Sequence, residues 1–345
     1  MTDKRATIIY NPMSGRPGRR ADAVREMIEL LGKRGIAAEA RATEGPDDAT
    51  RLAREAVKDT TDIIISYGGD GTLNEVIQGM INGRASLAIW PGGTSNVVAR
   101  DLGIPSEIEQ LAELISRGKA KRISLGVARS DAVSQASEAG SQLETKMRQY
   151  VGADNLSLHL NENAETVSDS FTRTQAPDTR PLERYFLMMA GIGLDASIAR
   201  GVNRKLKRRT GEFAYWVTGI KHLFTWQADL FVIEVDGKSY ESVFAIVGNG
   251  KGYGGGMCIT PHAKLDEPLF EVYILQRRAN NFAYIPALAA CMRGNPENAG
   301  ATLVKGKHIK AHSTREPWVE ADGEIIGPLP MTFDIVPDAL SVIAP

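Results

Sequence analysis

At 345 residues, 43% hydrophobic and 24% charged, the chain has the composition of a globular protein and the length for two domains. Its formal net charge of −1 removes any whole-molecule electrostatic case for nucleic acid as a partner. Cys258 and Cys291 stand far apart without a CxxC pattern, and the five histidines form no HxH or HExxH arrangement, which argues against a disulfide framework or a zinc site.

Residues 1 to about 125 alternate strand and helix: strands at 6–10, 37–42, 62–67 and 86–90, and helices at 18–33, 47–58, 72–82, 95–101 and 106–117. That alternation predicts a parallel sheet covered on both faces. In the first helix Val24, Met27, Ile28 and Leu31 keep the i, i+3, i+4, i+7 spacing of one apolar face. The run Ile63-Ile64-Ile65 is apolar and β-branched, as a buried parallel strand requires. For the helix at 106–117 the expected signals are Ser106 and Glu109 as a capping box and Gly118 as its stop.

Three of these strands run into loops of one kind. The first reads Asn11-Pro12-Met13-Ser14-Gly15-Arg16, the second Gly68-Gly69-Asp70-Gly71-Thr72-Leu73-Asn74-Glu75, and the third Pro91-Gly92-Gly93-Thr94-Ser95-Asn96. A strand, a glycine turn and a helix start aim unpaired N–H groups and partial positive charge at an anion, and phosphate is the anion such loops suit. Loops that follow parallel strands share one carboxyl edge of the sheet, where ligands of open α/β sheets bind.

Beyond Lys121 the pattern becomes strand-like, at 123–129, 185–190, 230–235, 240–247, 270–275 and 331–336, with Asp236-Gly237 as a hairpin turn. An antiparallel sandwich or partly closed barrel is expected. Residues at about 131–182 are polar and small and read as an insertion, either a loose segment or a lid or partner surface. Residues 204–226 place five cations within six residues and then five aromatics among apolar residues. Such a segment suits an anionic membrane surface, or equally a packed helix with a basic edge. No run of about 18 apolar residues is present to span a bilayer, and the first strand starts soon after Lys4 and Arg5 without the apolar core of a signal peptide. A cytoplasmic protein, peripheral to the inner face of the membrane, is the expectation.

The three loops in this order, followed by Arg184-Tyr185-Phe186-Leu187, Gly191-Ile192-Gly193-Leu194-Asp195-Ala196, Tyr253-Gly254-Gly255-Gly256-Met257, Lys264-Leu265-Asp266 and Asp322-Gly323-Glu324, resemble the catalytic domain shared by diacylglycerol, sphingosine and ceramide kinases, above all the soluble bacterial lipid kinases. The resemblance spans nearly the whole chain apart from the central insertion. It implies a Rossmann-like nucleotide domain at 1–125, completed by about 328–345. An antiparallel β-sandwich of NAD kinase/diacylglycerol kinase type at 126–327 would carry the lipid. The implied reaction is ATP- and Mg²⁺-dependent transfer of a phosphoryl group to a lipid hydroxyl, with diacylglycerol first and ceramide or a sphingoid base as alternatives. NAD kinase and a catalytically silent lipid-binding module are further alternatives. A homodimer is left open.

Phosphoryl transfer needs positioned donors, charge neutralisation and a base. Asn11, Ser14, Gly15, Gly68, Gly69, Gly71, Thr72, Gly93 and Thr94 are candidate donors to the nucleotide, with Pro12 and Asn74 in the same loops and Thr43, by resemblance, beside them. By the same resemblance Glu324 is the proton acceptor, Asp322 its neighbour in the metal and substrate network, and Asp70 the organiser of metal or hydroxyl or the competing base. Arg16, amid Arg19 and Arg20, reads as a solvated residue that could also meet a phosphate. A second, structural Mg²⁺ is implied at Lys264-Leu265-Asp266-Glu267-Pro268-Leu269, held by Glu267, by carbonyls of Lys264 and Leu269, and near Asp266. The sequence departs from the family there at Glu267 and Pro268, and also at Val97 and Ser124, where relatives often carry Asp.

Overall fold

The computed structural model describes residues 4–13, 19–130, 182–193, 229–253, 256–279, 281–315 and 317–345. The insertion expected at about 131–182, Leu182 apart, and the basic aromatic stretch at 204–226 lie outside the described residues. Residues 1–128 and 184–345 form one compact unit. Arg129–Glu183 forms another, within which Arg129 Nε donates to Glu183 at 2.9 Å.

In the first half, β1 (Lys4–Tyr10), β2 (Ile36–Ala42), β3 (Ile63–Gly68) and β4 (Ser86–Pro91) pair in parallel in the order β2-β1-β3-β4. Ile63, Ile64 and Ile65 are all buried, the condition under which a strand reads as a continuous apolar run. The connecting helices are α1 (Arg19–Gly32), α2 (Asp48–Lys58), α3 (Asp70–Met80), α4 (Val97–Asp101) and α5 (Ile108–Arg117). α2 buries Ala49, Leu52, Ala53 and Ala56 and lies along α3. Glu75 of α3 caps it, accepting Ala49 N–H at 3.1 Å while Thr50 Oγ1 donates to Glu75 O at 2.9 Å. The box expected at Ser106 and Glu109 does not form: α5 starts at Ile108 behind an extended Glu107 whose side chain makes no cap, and it ends at Gly118 as expected, with φ +64°.

The second half adds to this sheet and builds another. β5 (Ala120–Ser130) pairs with β16 (Met331–Ile343), a 13-residue strand with two partners of opposite sense. Its end, Ser341–Ile343, runs parallel to Ser86–Ala88 of β4, while its start, Met331–Asp334, runs antiparallel to β13 (His308–His312). β8 (Phe231–Val235) and β9 (Lys238–Ser242) continue from β13 through the hairpin at Asp236-Gly237. One sheet thus passes from parallel to antiparallel along a single strand.

A separate antiparallel sheet has the order β12-β11-β10-β7-β14-β15. Its strands are β7 (Met189–Ile192), β10 (Phe244–Gly248), β11 (Phe270–Leu275), β12 (Thr302–Gly306), β14 (Trp318–Ala321) and β15 (Glu324–Pro328). β6 (Leu182–Phe186) leads into β7, and Phe186 stacks on Phe270 of this sheet at 5.8 Å and meets Phe333 of β16 edge-on at 6.4 Å. That aromatic set joins the faces of the two sheets. One further helix, α6 (Ile285–Met292), follows β11.

Candidate active site

The first loops meet at the carboxyl ends of β1, β3 and β4. Thr43 N–H donates to Tyr10 O at 2.9 Å and Gly92 N–H to Gly68 O at 2.8 Å, so the ends of four strands are tied at one edge. Asn11 turns back on itself, its Oδ1 accepting Met13 N–H at 2.9 Å beside Pro12, while Ser14 and Gly15 lie outside the described residues.

Between the second and third loops the backbones nearly touch. A Cβ on Gly93 would sit 2.6 Å from Gly69 Cα, so that position needs glycine for the approach, while one on Gly92 would press on the Arg20 guanidinium at 2.7 Å. Asn96 closes the third turn with its side-chain amide, accepting from Gly93 N–H and donating to Gly93 O, each at 2.9 Å. Asp70, the first residue of α3, crosses to the neighbouring loop: its Oδ1 accepts Val97 N–H at 2.9 Å at the start of α4. Burial raises its pKa, against the opposing hydrogen bonds from Val97 and Val98 N–H. The result is a small crevice lined by Ser66, Gly69, Asp70, Leu73, Ile89 and Asn96. Ser66 Oγ is buried there without a hydrogen-bond partner. Gly71 and Thr94 are exposed at its rim, with open space around Gly71 and Thr72 half-buried behind it.

Arg20, to which no sequence motif assigns a role, is 5% exposed. One guanidinium nitrogen donates to Tyr67 O at 3.2 Å and another to Gly92 O, while its centre lies 4.3 Å from the centroid of the Tyr67 ring, which stacks on Trp90. It therefore clamps the second loop to the third. A signal was present: positions 20, 24, 27 and 31 all fall on the buried stripe of α1.

The distant tripeptide approaches from the second sheet. Asp322 and Gly323 form the turn between β14 and β15, with φ of +47° and +83°. The half-buried Asp322 carboxylate accepts the N–H groups of Leu187, Met188 and Met189 at 2.6, 2.9 and 3.0 Å. Burial pushes its pKa up to about 6 against those donors, and the charge of Asp70 adds to the rise, which places the two acids within electrostatic reach. Committed to three amides, Asp322 fixes the 187–189 backbone rather than presenting a free ligand.

Glu324, next along, is 40% exposed at the side chain and ion-paired with Arg184, which is 17% exposed. Gln78 of α3 grips the adjacent residue at both ends, accepting Tyr185 N–H at 3.1 Å and donating to Tyr185 O at 2.9 Å, and also donates to Asn74 Oδ1 at 3.0 Å. Asp70, Asn74 and Gln78 recur every fourth residue, so the helix that opens with the glycine loop presents one polar face toward β6. Asn74 Nδ2 and Arg184 Nε are buried without partners. The pKa of Glu75 is raised by burial first, with Asp47 and Glu324 adding to the rise, which places Glu324 near α3 as well. Gln78 and Arg184 carry no motif of their own; the period of four from Asp70 was the one readable sign of Gln78.

The segment 264–269 lies elsewhere, with Leu265 O accepting Ser124 N–H at 2.7 Å. Lys264 Nζ bonds Glu267 at 2.6 Å on the surface, which lowers the carboxyl and raises the ammonium pKa. Lys264 O accepts Glu267 N–H at 3.0 Å and Glu267 O accepts Leu269 N–H at 2.9 Å. These residues, with Asp266, form a surface turn in which Lys264 and Glu267 are ion-paired. Among the described residues no group of three or more His, Cys, Asp or Glu clusters for a metal. Nor is any described helix long and apolar enough to cross a membrane.

A sheet edge with a glycine cradle, facing a polar helix face and an ion-paired glutamate, is the frame of a phosphoryl-transfer enzyme. Residues 5–128 match the family model of the diacylglycerol kinase catalytic domain, and residues 189–344 match that of the YegS C-terminal NAD kinase beta sandwich-like domain. A diacylglycerol kinase of Bacillus subtilis (strain 168) is 29% identical over 96% of this chain and 93% of its own length. One from Staphylococcus aureus (strain MRSA252) is 28% identical over 99% and 93%. The crystal structure of a diacylglycerol kinase from Bacillus anthracis str. Sterne, 22% identical, superposes with a TM-score of 0.70 over 100% of this chain and 98% of its own, and so shares the fold. Residues 5–128 thus carry a diacylglycerol kinase catalytic domain and residues 189–344 a YegS-type C-terminal domain, and the chain is a lipid kinase by class.

Proposed function

We propose that the protein transfers the γ-phosphoryl group of ATP to the free hydroxyl of diacylglycerol, giving phosphatidate and ADP. The observation that carries this reading is the convergence of the glycine cradle, through the Asp70, Asn74 and Gln78 face of α3, on the strand that positions Arg184 and Glu324. The relatives named diacylglycerol kinase support the choice of acceptor.

The cradle suits a polyphosphate. Gly69 and Gly93 leave room for close approach, helix amides point outward at the start of α3, and Ser66 Oγ lacks a partner in the crevice wall. Asp70 is the acid placed to hold Mg²⁺, which when bound neutralises phosphate charge. Glu324 takes the proton of the lipid hydroxyl as the oxygen–phosphorus bond forms and the bond from the γ-phosphorus to the ADP oxygen breaks. Asp70 is a poorer base, because its carboxylate already accepts amides of α4. Arg184 orients Glu324, and Asp322 holds the 187–189 backbone that follows the strand carrying Arg184.

One feature favours a second acceptor: Asn96 is followed by the apolar Val97, the pattern that resembles sphingosine kinases. Incubation with labelled ATP, Mg²⁺ and separate vesicles of diacylglycerol, ceramide and sphingosine decides between them. Labelled phosphatidate is the expected product. A labelled sphingolipid moves the acceptor, while NADP from added NAD, or no product on any lipid, overturns the reading.

A further inference from the structure

Five large apolar residues are exposed among the described residues, and three of them, Phe282, Ile285 and Met292, fall on α6 and the single turn Asn281–Tyr284 that precedes it. Their spacing, i, i+3 and i+10, with Ala289 half-buried at i+7, makes one stripe. The opposite side of the same segment, Tyr284, Ala287, Ala290 and Cys291, is buried in the core. The helix is apolar all round, with one side in the core and Phe282, Ile285 and Met292 exposed on the other.

Along this segment charge has a single sign. From Gln276 to Pro296 there are three arginines, Arg277, Arg278 and Arg293, and no Asp or Glu. Arg278 staples the turn, donating to Ala283 O at 2.9 Å, whereas Arg277 and Arg293 are exposed at either end of the stripe. The first acid beyond, Glu297, is paired with His262. Apolar side chains flanked by cations alone complement a surface that is greasy inside and negative outside. A second copy of this chain is the poorer match, since three side chains fall well short of the roughly 800 Å² per partner that a stable pair buries. Position agrees as well. Cys258 N–H donates to Cys291 O at 3.3 Å, and Gly252 of the same loop lies against Val97 and Asp101 of α4, so α6 backs onto the loop that touches the nucleotide edge.

We propose that the Phe282, Ile285 and Met292 face of α6, with Arg277 and Arg293 at its ends, docks on an anionic phospholipid bilayer. The inference draws on the lipid-kinase reading only in that the acceptor resides in such a bilayer. The test is co-sedimentation with phosphatidylcholine vesicles, with and without phosphatidylglycerol, beside turnover of a soluble short-chain diacylglycerol and a thermal unfolding curve. The wild-type chain binds the mixed vesicles. Combined Phe282→Ser, Ile285→Ser and Met292→Ser lowers that binding by at least about tenfold. Arg277→Gln with Arg293→Gln, surface changes that leave the helix packed, lowers it several-fold and removes its salt dependence. Turnover of the soluble acceptor is unchanged in both. Vesicle binding unchanged in both variants overturns the proposal, as does a wild-type dimer that the triple serine variant dissociates without any vesicle binding to lose. Binding that behaves as expected with no lipid phosphorylated would overturn the kinase reading and leave the docking surface standing.

Discussion

Replacing Arg20 by methionine keeps the aliphatic stem and removes the clamp between the two glycine loops. Two hydrogen bonds from a charged donor, to Tyr67 O and Gly92 O, are worth about 1.5–3 kcal/mol each, and the contact with the Tyr67 ring about 0.5–2 kcal/mol. Against this stands the cost of burying the guanidinium, several kcal/mol, which the variant no longer bears. A net loss of about 2–3 kcal/mol remains, because Gly92 O loses the Arg20 donor and Tyr67 O keeps a long bond from Asn11 N–H at 3.4 Å. Urea unfolding followed by tryptophan fluorescence reads that loss, and Trp90, stacked on Tyr67, should report a changed environment before the midpoint. In the kinase assay the KM for ATP rises about tenfold, as the glycine loops lose their mutual register, while the KM for the lipid stays put. Arg20→Lys restores charge without the fork and recovers only part of either effect. An ATP KM indistinguishable from wild type in Arg20→Met would refute the clamp.

Three further outcomes are expected. Glu324→Gln lowers kcat by about 10²–10⁴ with little change in unfolding, whereas Asp70→Ala loses activity and also about 1 kcal/mol of stability, since it removes the acceptor of Val97 N–H at the start of α4; equal stability costs would undo that distinction. Gln78→Leu frees both main-chain groups of Tyr185, so kcat falls at least about tenfold through the misplaced Arg184, and wild-type kcat with a lowered unfolding midpoint would assign Gln78 to folding alone. The third concerns pH. The folded protein holds the Asp322 proton more tightly than the unfolded chain does, with a pKa raised from 3.8 to about 6, so this group favours folding below about pH 4 and loses that contribution as pH rises to 6. At about 1.4 kcal/mol per tenfold change in proton affinity, the stability of wild type relative to Asp322→Asn should fall by roughly 3 kcal/mol across that window. A flat difference between the two proteins would place the titration elsewhere.

The nucleotide edge could be read from the residues because its constraints are local. Ile63–Ile65 had to be apolar to lie between neighbours on both sides, and Gly93 had to be glycine to meet Gly69. Each leaves a mark within a few positions. Asp322, Gly323 and Glu324 were legible only through resemblance, since Asp-Gly in an antiparallel sheet also marks an ordinary hairpin, which it is here as well. What escaped was set by distant partners. Arg20 belongs to no motif, and only its register with Val24, Met27 and Leu31 marked it as buried. The start of α5 was misjudged because Ser106 and Glu109 had the right spacing, yet the chain enters the helix from an extended Glu107. The continuation of the first sheet into β13, β8 and β9 had no local signal, because a strand of 13 residues does not announce that its two ends keep different company.

That strand has a bearing on how the molecule is made. Ser86–Ala88 gain their second neighbour only when Ser341–Ile343 arrive, some 255 residues later. Until then the growing polypeptide carries an open β margin beside its nucleotide loops, a template for sticking to other nascent chains. A fragment cut at residue 128 would inherit that margin permanently. Synthesis must reach Ser341–Ile343 before that margin is paired.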